Sequence, residues 1–414
     1  MIPCDWSKRK MSFRYRAASS RSLWPMTNCV KRPTAIFGAG LVLRIIAVAY
    51  LTRVAPHMLT WGTNESGGIA RWIIANHTFS SPFHDAHGPT AWLAPIYPGI
   101  VAGMFFIFGV QTPASALAVM CFNSICSAGT GVIVYQIGKE IHSEQAGVFA
   151  GWMWALSPYV AILPYILWDT ALSALVGGLA LLLTMRLTSS TKVADWSVCG
   201  ATWGVAALVN PALVTPLPIL ALWLSDRGSR WRQVFVMAVF TAMLIVPWTI
   251  RNYVAFREVM PIRSNGLTEV YFANCGFGTH PLGPSMEYQN LGEAAFTAQA
   301  SRRAGEYIRT HPVTFVDDSL WRAIRFWIYP VNFWPLSVVI DLGALAGLIV
   351  VFRKSREVAL PLIAVLAVYP LIYYASQVVS RYRHPIDPVL YALGGVALSQ
   401  IVDRRAPRLS HVSI

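Results

Sequence analysis

Residues 115–137 read SALAVMCFNSICSAGTGVIVYQI, without a single Asp, Glu, Lys or Arg. A helix needs about 20 such residues to cross a hydrocarbon core of roughly 30 Å. The stretch sits inside a longer charge-free interval, from Asp85 to Lys139, and three more intervals follow: Glu144 to Asp169, Asp195 to Asp226 and Arg232 to Arg251. Over the 414-residue chain only 13% of residues are charged and 55% are hydrophobic, where a soluble domain carries about 25% charged residues. The composition therefore describes a polytopic membrane protein, and it excludes soluble Rossmann, barrel and nucleic-acid-binding classes.

The formal net charge of +14 reads as a topology signal because of where the basic residues lie. Lys8, Arg9, Lys10, Arg14, Arg16, Arg21, Lys31 and Arg32 form a basic tail. The other clusters, Arg227 with Arg230 and Arg232, Arg353 with Lys354 and Arg356, and Arg404 with Arg405 and Arg408, fall in short segments between or after apolar runs. Short basic segments mark the cytoplasmic side. The first 30 residues are also rich in Arg and Ser, and we read them as a cytoplasmic tail or as residues ahead of a start at Met11 or Met26 rather than a transit peptide. The six cysteines make no disulfide framework, since only Cys275 falls in an external segment.

About ten spans are expected: 34–52, 115–137, 146–164, 170–186, 196–209, 211–224, 233–249, 336–352, 358–376 and 387–402. The apolar segment 94–109 decides the parity. If it crossed, the basic clusters would end up opposite the basic N-terminus; lying in the interface, it leaves all of them on one side. Its opening Ala94-Pro95-Ile96-Tyr97-Pro98 is expected to resist a regular helix start. Asn210-Pro211 is expected to divide 196–224 into two short helices. The resulting organisation is a basic cytoplasmic tail (1–33), a membrane core (34–250) that includes an external loop (53–114), an external segment (251–335), C-terminal spans (336–402) and a cytoplasmic tail (403–414). No internal repeat stands out.

On the external side Glu65 is the only carboxylate between the first span and Asp85. A carboxylate beside apolar surface is partly desolvated, which suits it to accept a proton, although a first-turn acid favouring a helix dipole looks the same in sequence. Asp169, in Trp168-Asp169-Thr170, stands on the same side, either as a helix cap or as a site residue. Arg251, Arg381 and Arg383 run against the positive-inside preference, which suggests an anionic ligand such as a phosphate held by guanidinium forks. His84, Asp85 and His87 are more readily surface residues than a metal site. Arg44, inside the first span, must be paired or line a cavity.

With these features in place the chain resembles the GT-C membrane glycosyltransferases, closest to the family-39-like branch related to protein O-mannosyltransferases and lipid A aminoarabinose transferases. The resemblance runs from about residue 35 to 402 and is carried by GPTAWLAPIYP (88–98), WDT (168–170), NPAL (210–213), PWTIRNY (247–253) and RYRHP (381–385). It implies an all-α GT-C bundle with interfacial helices in the first external loop. It also implies inverting transfer of a sugar from a polyprenyl-phosphate donor on the periplasmic or exterior face of a plasma, or bacterial inner, membrane. Glu65 would be the general base, Asp169 would orient the acceptor or help hold a divalent cation, and Arg251, Arg381 and Arg383 would bind the lipid phosphate. Many relatives carry two adjacent acids where this chain has Asn64-Glu65, so metal dependence is left open. The sugar and the acceptor (lipid, glycan or protein) are not assigned. A lipid-linked-sugar flippase or transporter that breaks no bond, and a non-catalytic membrane subunit, are the competing readings.

Overall fold

The structure is a computed structural model that describes residues 31–62, 64–83, 88–226, 230–275, 286–328 and 334–405. Among the described residues the protein is all helical, with one isolated bridge between Ser80 and Pro89. Helix α1 (Lys31–Val54) leads through α2 (Glu65–Asn76) and α3 (Ile96–Phe108) to the long α4 (Pro113–Ile141), which contains the stretch quoted above. Then come α5 (Glu144–Leu156) and α6 (Pro158–Ile162), α7 (Thr170–Arg186), α8 (Val193–Val209), α9 (Leu217–Ser225) and α10 (Trp231–Phe256). A separate group of helices follows: α11 (Gly266–Asn274), α12 (Met286–Leu291), α13 (Glu293–Thr310) and α14 (Pro312–Ile328). The chain closes with α15 (Trp334–Lys354), α16 (Arg356–Val368), α17 (Leu371–Ala375) and α18 (Asp387–Arg405).

Seven of the described helices are long and apolar enough to span a membrane, or eight when the segments 144–156 and 158–165, bent by 50°, count as one. The two pieces around Asn210-Pro211 are shorter apolar helices, and with them the set matches the ten expected spans in position. Asn210 has β-region backbone, and its side chain caps the short 3-10 turn that begins at Pro211 by accepting from Ala212 N at 3.1 Å. Proline lacks the N–H that a continuing helix would use, so the interruption is local chemistry.

The segment 94–109 does form a helix, which corrects the expectation drawn from its prolines. Pro98 falls in the first turn of α3, where an N–H would have no intrahelical acceptor, so proline costs nothing there. Helix α1 ends and α4 begins at the same end of the bundle. There Trp61 Nε1 donates to Ser115 Oγ at 3.2 Å. Phe106, Ile107 and Phe108 of α3 are exposed, as an interfacial helix requires.

The opposite end gathers the other turns. Arg230 Nη1 donates to Leu187 O at 2.8 Å and Thr188 O at 3.0 Å, Trp223 Nε1 to Glu357 O at 3.1 Å, and Gln400 Nε2 meets His142 Nε2 at 3.0 Å. Between the two ends small residues bring helix backbones together, as apolar surroundings favour. A Cβ on Gly347 of α15 would lie 2.0 Å from the Leu393 carbonyl oxygen of α18. Arg44 is fully buried and is structural: Nε donates to Ser127 Oγ at 2.7 Å, Nη1 to Gly40 O at 2.8 Å and Ala155 O at 3.2 Å, and Nη2 to Trp154 O at 3.2 Å. It thereby ties α1 to α4 and α5.

Helices α11 to α13 do not stand apart from the first loop. Phe83 and Trp92 of that loop pack edge-to-face on each other and on Tyr288, at centroid separations of 5.2–5.8 Å, and Tyr288 packs on Phe296 at 5.4 Å. Aromatic pairs in this geometry add roughly 0.5–1.5 kcal/mol each beyond area burial. The two long segments thus form one cap over one end of the bundle.

Candidate active site at one end of the bundle

The cap places Glu65. Asn64 is the N-cap of α2, its Oδ1 accepting from Gly67 N at 2.8 Å, and its Nδ2 donates to Leu167 O at 2.9 Å. One side chain therefore starts the helix and fastens it to the loop before Asp169. Gly68 permits close approach, since a Cβ there would lie 2.0 Å from Pro82 O. Glu65 follows in the first turn, where an anion is favoured by the helix dipole, and its Oε1 accepts from Trp92 Nε1 at 3.0 Å. The first-turn reading and the site reading of Glu65 are therefore compatible.

Asp169 occupies the N-cap position of α7 but its side chain does not cap. Its Oδ2 accepts from Ser173 Oγ at 2.9 Å, and the guanidinium groups of Arg263 and Arg381 act on it electrostatically. Burial pushes its carboxyl above the usual carboxylate range, with Arg263, the Ser173 hydrogen bond and Arg381 opposing the rise. Arg381 lies over the Trp168 ring at 4.2 Å and the Tyr382 ring at 5.3 Å. Arg263 Nε donates to Trp92 O at 3.0 Å, so it joins the two acids through Trp92.

Glu65, Asp169 and Arg381 are thus brought together, and the other two arginines singled out from sequence are engaged elsewhere. Arg251 donates to Thr90 O and Phe79 O at 2.6 Å each and lies against the Phe79 and Trp248 rings, clamping the first loop. Arg383 is 3% exposed and donates to Asp387 Oδ1 at 3.0 Å, Asp341 Oδ2 at 2.9 Å, Ser337 Oγ at 2.6 Å and Trp327 O at 2.9 Å. Its positive charge is consumed by two carboxylates. His84, Asp85 and His87 lie outside the described residues.

Sequence reasoning missed three residues here. Arg263 carries the same signal as Arg251, a basic residue on the positive-poor side, and that argument could have found it. Glu269 accepts from Asn265 Nδ2 at 3.0 Å and from Gln377 Nε2 at 2.8 Å, linking α11 to the approach to Arg381. Glu293 is buried in the cap. Neither acid has a local sequence signal, because each is defined by partners far along the chain.

A small apolar space of about 20 Å³, room for about one water, is lined by Gly177, Trp203, Leu213, Val365, Tyr369 and Pro385, among others. Tyr369 Oη donates to Tyr382 O at 2.9 Å, which sets this apolar space beside the turn carrying Arg381. Among the described residues no group of three His, Cys, Asp or Glu gathers as metal ligands. Arg263 and Arg381 also bring positive charge to Asp169, where a cation would need further oxygen donors. Among the described residues the donor set does not fit a divalent cation, and no step of the proposed reaction uses one.

This all-helical bundle, with an acid-bearing cap at one end, is the GT-C fold of membrane glycosyltransferases. The family model described as dolichyl-phosphate-mannose-protein mannosyltransferase matches residues 89–250. The oligosaccharyltransferase of Archaeoglobus fulgidus in its apo form superposes with a TM-score of 0.59 at 15% identity, over 90% of this chain and 51% of that one. The same organism's enzyme with an inhibitory peptide and a dolichol-phosphate gives 0.53 at 14% identity, over 88% and 50%. ArnT from Cupriavidus metallidurans bound to undecaprenyl phosphate gives 0.55 at 15% identity, over 89% and 60%. The chain thus spans about half the length of these solved structures, or somewhat more. No curated protein sequence matches it.

Proposed function

We propose that the protein is a glycosyltransferase that moves a sugar from a polyprenyl-phosphate donor to an acceptor hydroxyl, with inversion, at the end of the bundle carrying Glu65. That end faces the periplasm or exterior of the membrane in this reading. The observation that carries it is the convergence of Glu65, Asp169, Arg263 and Arg381 at one end of the bundle. Two of the solved structures of this fold hold a dolichol-phosphate or undecaprenyl phosphate, which supports a lipid-linked donor.

In this mechanism the Glu65 carboxylate takes the acceptor's hydroxyl proton as that oxygen attacks the anomeric carbon from the side opposite the phosphate. The bond between the anomeric carbon and the phosphate oxygen breaks, and its electron pair leaves with the polyprenyl phosphate. Arg381 and Arg263 stabilise that anion as it develops, and preorganised charge of this kind lowers the barrier most where water is excluded. The Trp92 indole N–H holds Glu65, and Asp169 orients the acceptor. Arg251 and Arg383 act behind this shell, holding the first loop and the start of α18.

The test is release of free polyprenyl phosphate from labelled polyprenyl-phosphate sugars by purified protein with a membrane extract as acceptor. Wild type should release it and label a product, Glu65→Gln should lose about 10²–10⁴-fold in rate, and Arg381→Ala should weaken donor use. Transport of intact labelled donor across proteoliposomes without release would favour the flippase reading instead.

A further inference from the structure

Glu293 opens α13, follows Gly292 at φ 75°, and is 5% exposed. Its carboxylate has no ion-pair partner within 4 Å among the described residues, yet it is surrounded by donors. Oε1 accepts from Ala91 N at 2.6 Å and Ser264 Oγ at 2.7 Å, and Oε2 accepts from Tyr288 Oη at 2.9 Å and from Thr90 Oγ1. Four hydrogen bonds to a buried acid are a costly thing to arrange unless its charge organises something.

What it organises is the tripeptide Thr90-Ala91-Trp92. Thr90 O accepts from Arg251, Thr90 N donates to Phe79 O at 3.2 Å, and Thr90 Oγ1 accepts from Trp92 N at 3.0 Å while donating to Glu293. Ala91 N donates to Glu293, Ala91 O accepts from Ser264 N at 2.9 Å, and Trp92 O accepts from Arg263. Every backbone polar group of the tripeptide is used, so the Trp92 indole is aimed at Glu65 by a carboxylate 228 residues further along the chain (293 − 65).

We propose that Glu293 is a positioning residue of the active site: through Thr90-Ala91-Trp92 it holds the indole N–H on Glu65 and so sets how readily that carboxylate ionises. This rests on the general-base reading of Glu65 for its catalytic meaning, but not for its geometry. In Glu293→Gln an amide replaces one acceptor oxygen among four donors, the clamp loosens, and Glu65 loses the hydrogen bond that favours its charged form.

The experiment reads Glu65 directly. A carbodiimide labels protonated carboxyls, and mass spectrometry of the Glu65 peptide across a pH series gives the labelling midpoint in wild type, Glu293→Gln, Trp92→Phe and the double variant. Both single variants are expected to raise the midpoint by about one pH unit, the shift that loss of one charge-assisted hydrogen bond produces, and the double variant by no more than either. A Glu293→Gln midpoint equal to wild type beside a raised Trp92→Phe midpoint, an unmoved midpoint in both, or a double variant that sums the shifts would overturn the proposal. If Glu293→Gln fails to reach the membrane, Thr90→Val breaks the same link and is read the same way. Sugar transfer measured on the same samples separates the two claims: raised midpoints in the variants beside a wild-type protein that transfers nothing would retire the enzymatic reading and leave the positioning intact.

Discussion

Replacing Arg383 with Met should destabilise the protein without touching the proposed reaction centre. The guanidinium donates to Asp387 and Asp341 at 3.0 and 2.9 Å, and the three side chains are 3%, 0% and 21% exposed. Without it, Asp387 keeps only His384 Nδ1 at 3.1 Å, and Asp341 loses its ion pair. Removing one partner of a buried ion pair costs about 3–5 kcal/mol, because the remaining charge is stranded. At roughly 2 °C per kcal/mol for a chain of this size, the apparent Tm should fall by about 6–10 °C. Detergent-solubilised protein would be followed by tryptophan fluorescence at one fixed scan rate, since unfolding of such proteins is commonly irreversible. Removing the stranded charges as well, in Arg383→Met with Asp341→Asn and Asp387→Asn, should recover most of the loss. An Arg383→Met protein as stable as wild type but deficient in binding polyprenyl phosphate would refute this reasoning and make Arg383 a phosphate ligand.

Asp169 gives a pH signature whose sign follows from its raised pKa, caused by burial against the opposing charge of Arg263. A folded carboxyl that binds its proton more tightly than the unfolded one adds stability as pH falls from its raised folded value towards the ordinary carboxylate range. Wild type minus Asp169→Asn should show that increment in Tm across this window, with the variant at least as stable as wild type near pH 7 yet poor at transfer; a variant less stable at pH 7 would contradict it. In the membrane region, Gly347→Ala places a methyl against the Leu393 carbonyl oxygen, so α15 and α18 must separate. A loss of about 1–3 kcal/mol, seen as a lower Tm, is expected, whereas Gly343→Ala, with its nearest neighbour at 3.8 Å, should be tolerated.

Much of the architecture was written in composition. Charge-free runs such as 115–137 are too long for a barrel strand and satisfy their backbone in lipid as helices. The Asn210-Pro211 break followed from proline chemistry, and the return of the chain to the same end around 94–109 from the placement of arginines. Asn64-Glu65 and Asp169 were legible because a lone acid in an acid-poor sequence stands out. What the arginines do was not legible. Charge says that a guanidinium needs an anion or an acceptor, but which one depends on groups brought near by folding: two carbonyls for Arg251, two carboxylates for Arg383, two aromatic rings and Asp169 for Arg381. Glu293 and Arg263 are the same case from the other side, ordinary residues in a polar segment until the cap closes on Thr90-Ala91-Trp92. Periodicity and hydropathy are properties of neighbours in sequence, so they determine the spans, whereas the candidate site, drawn from residues 65, 92, 169, 263, 293 and 381, is assembled only once the tertiary structure has joined them.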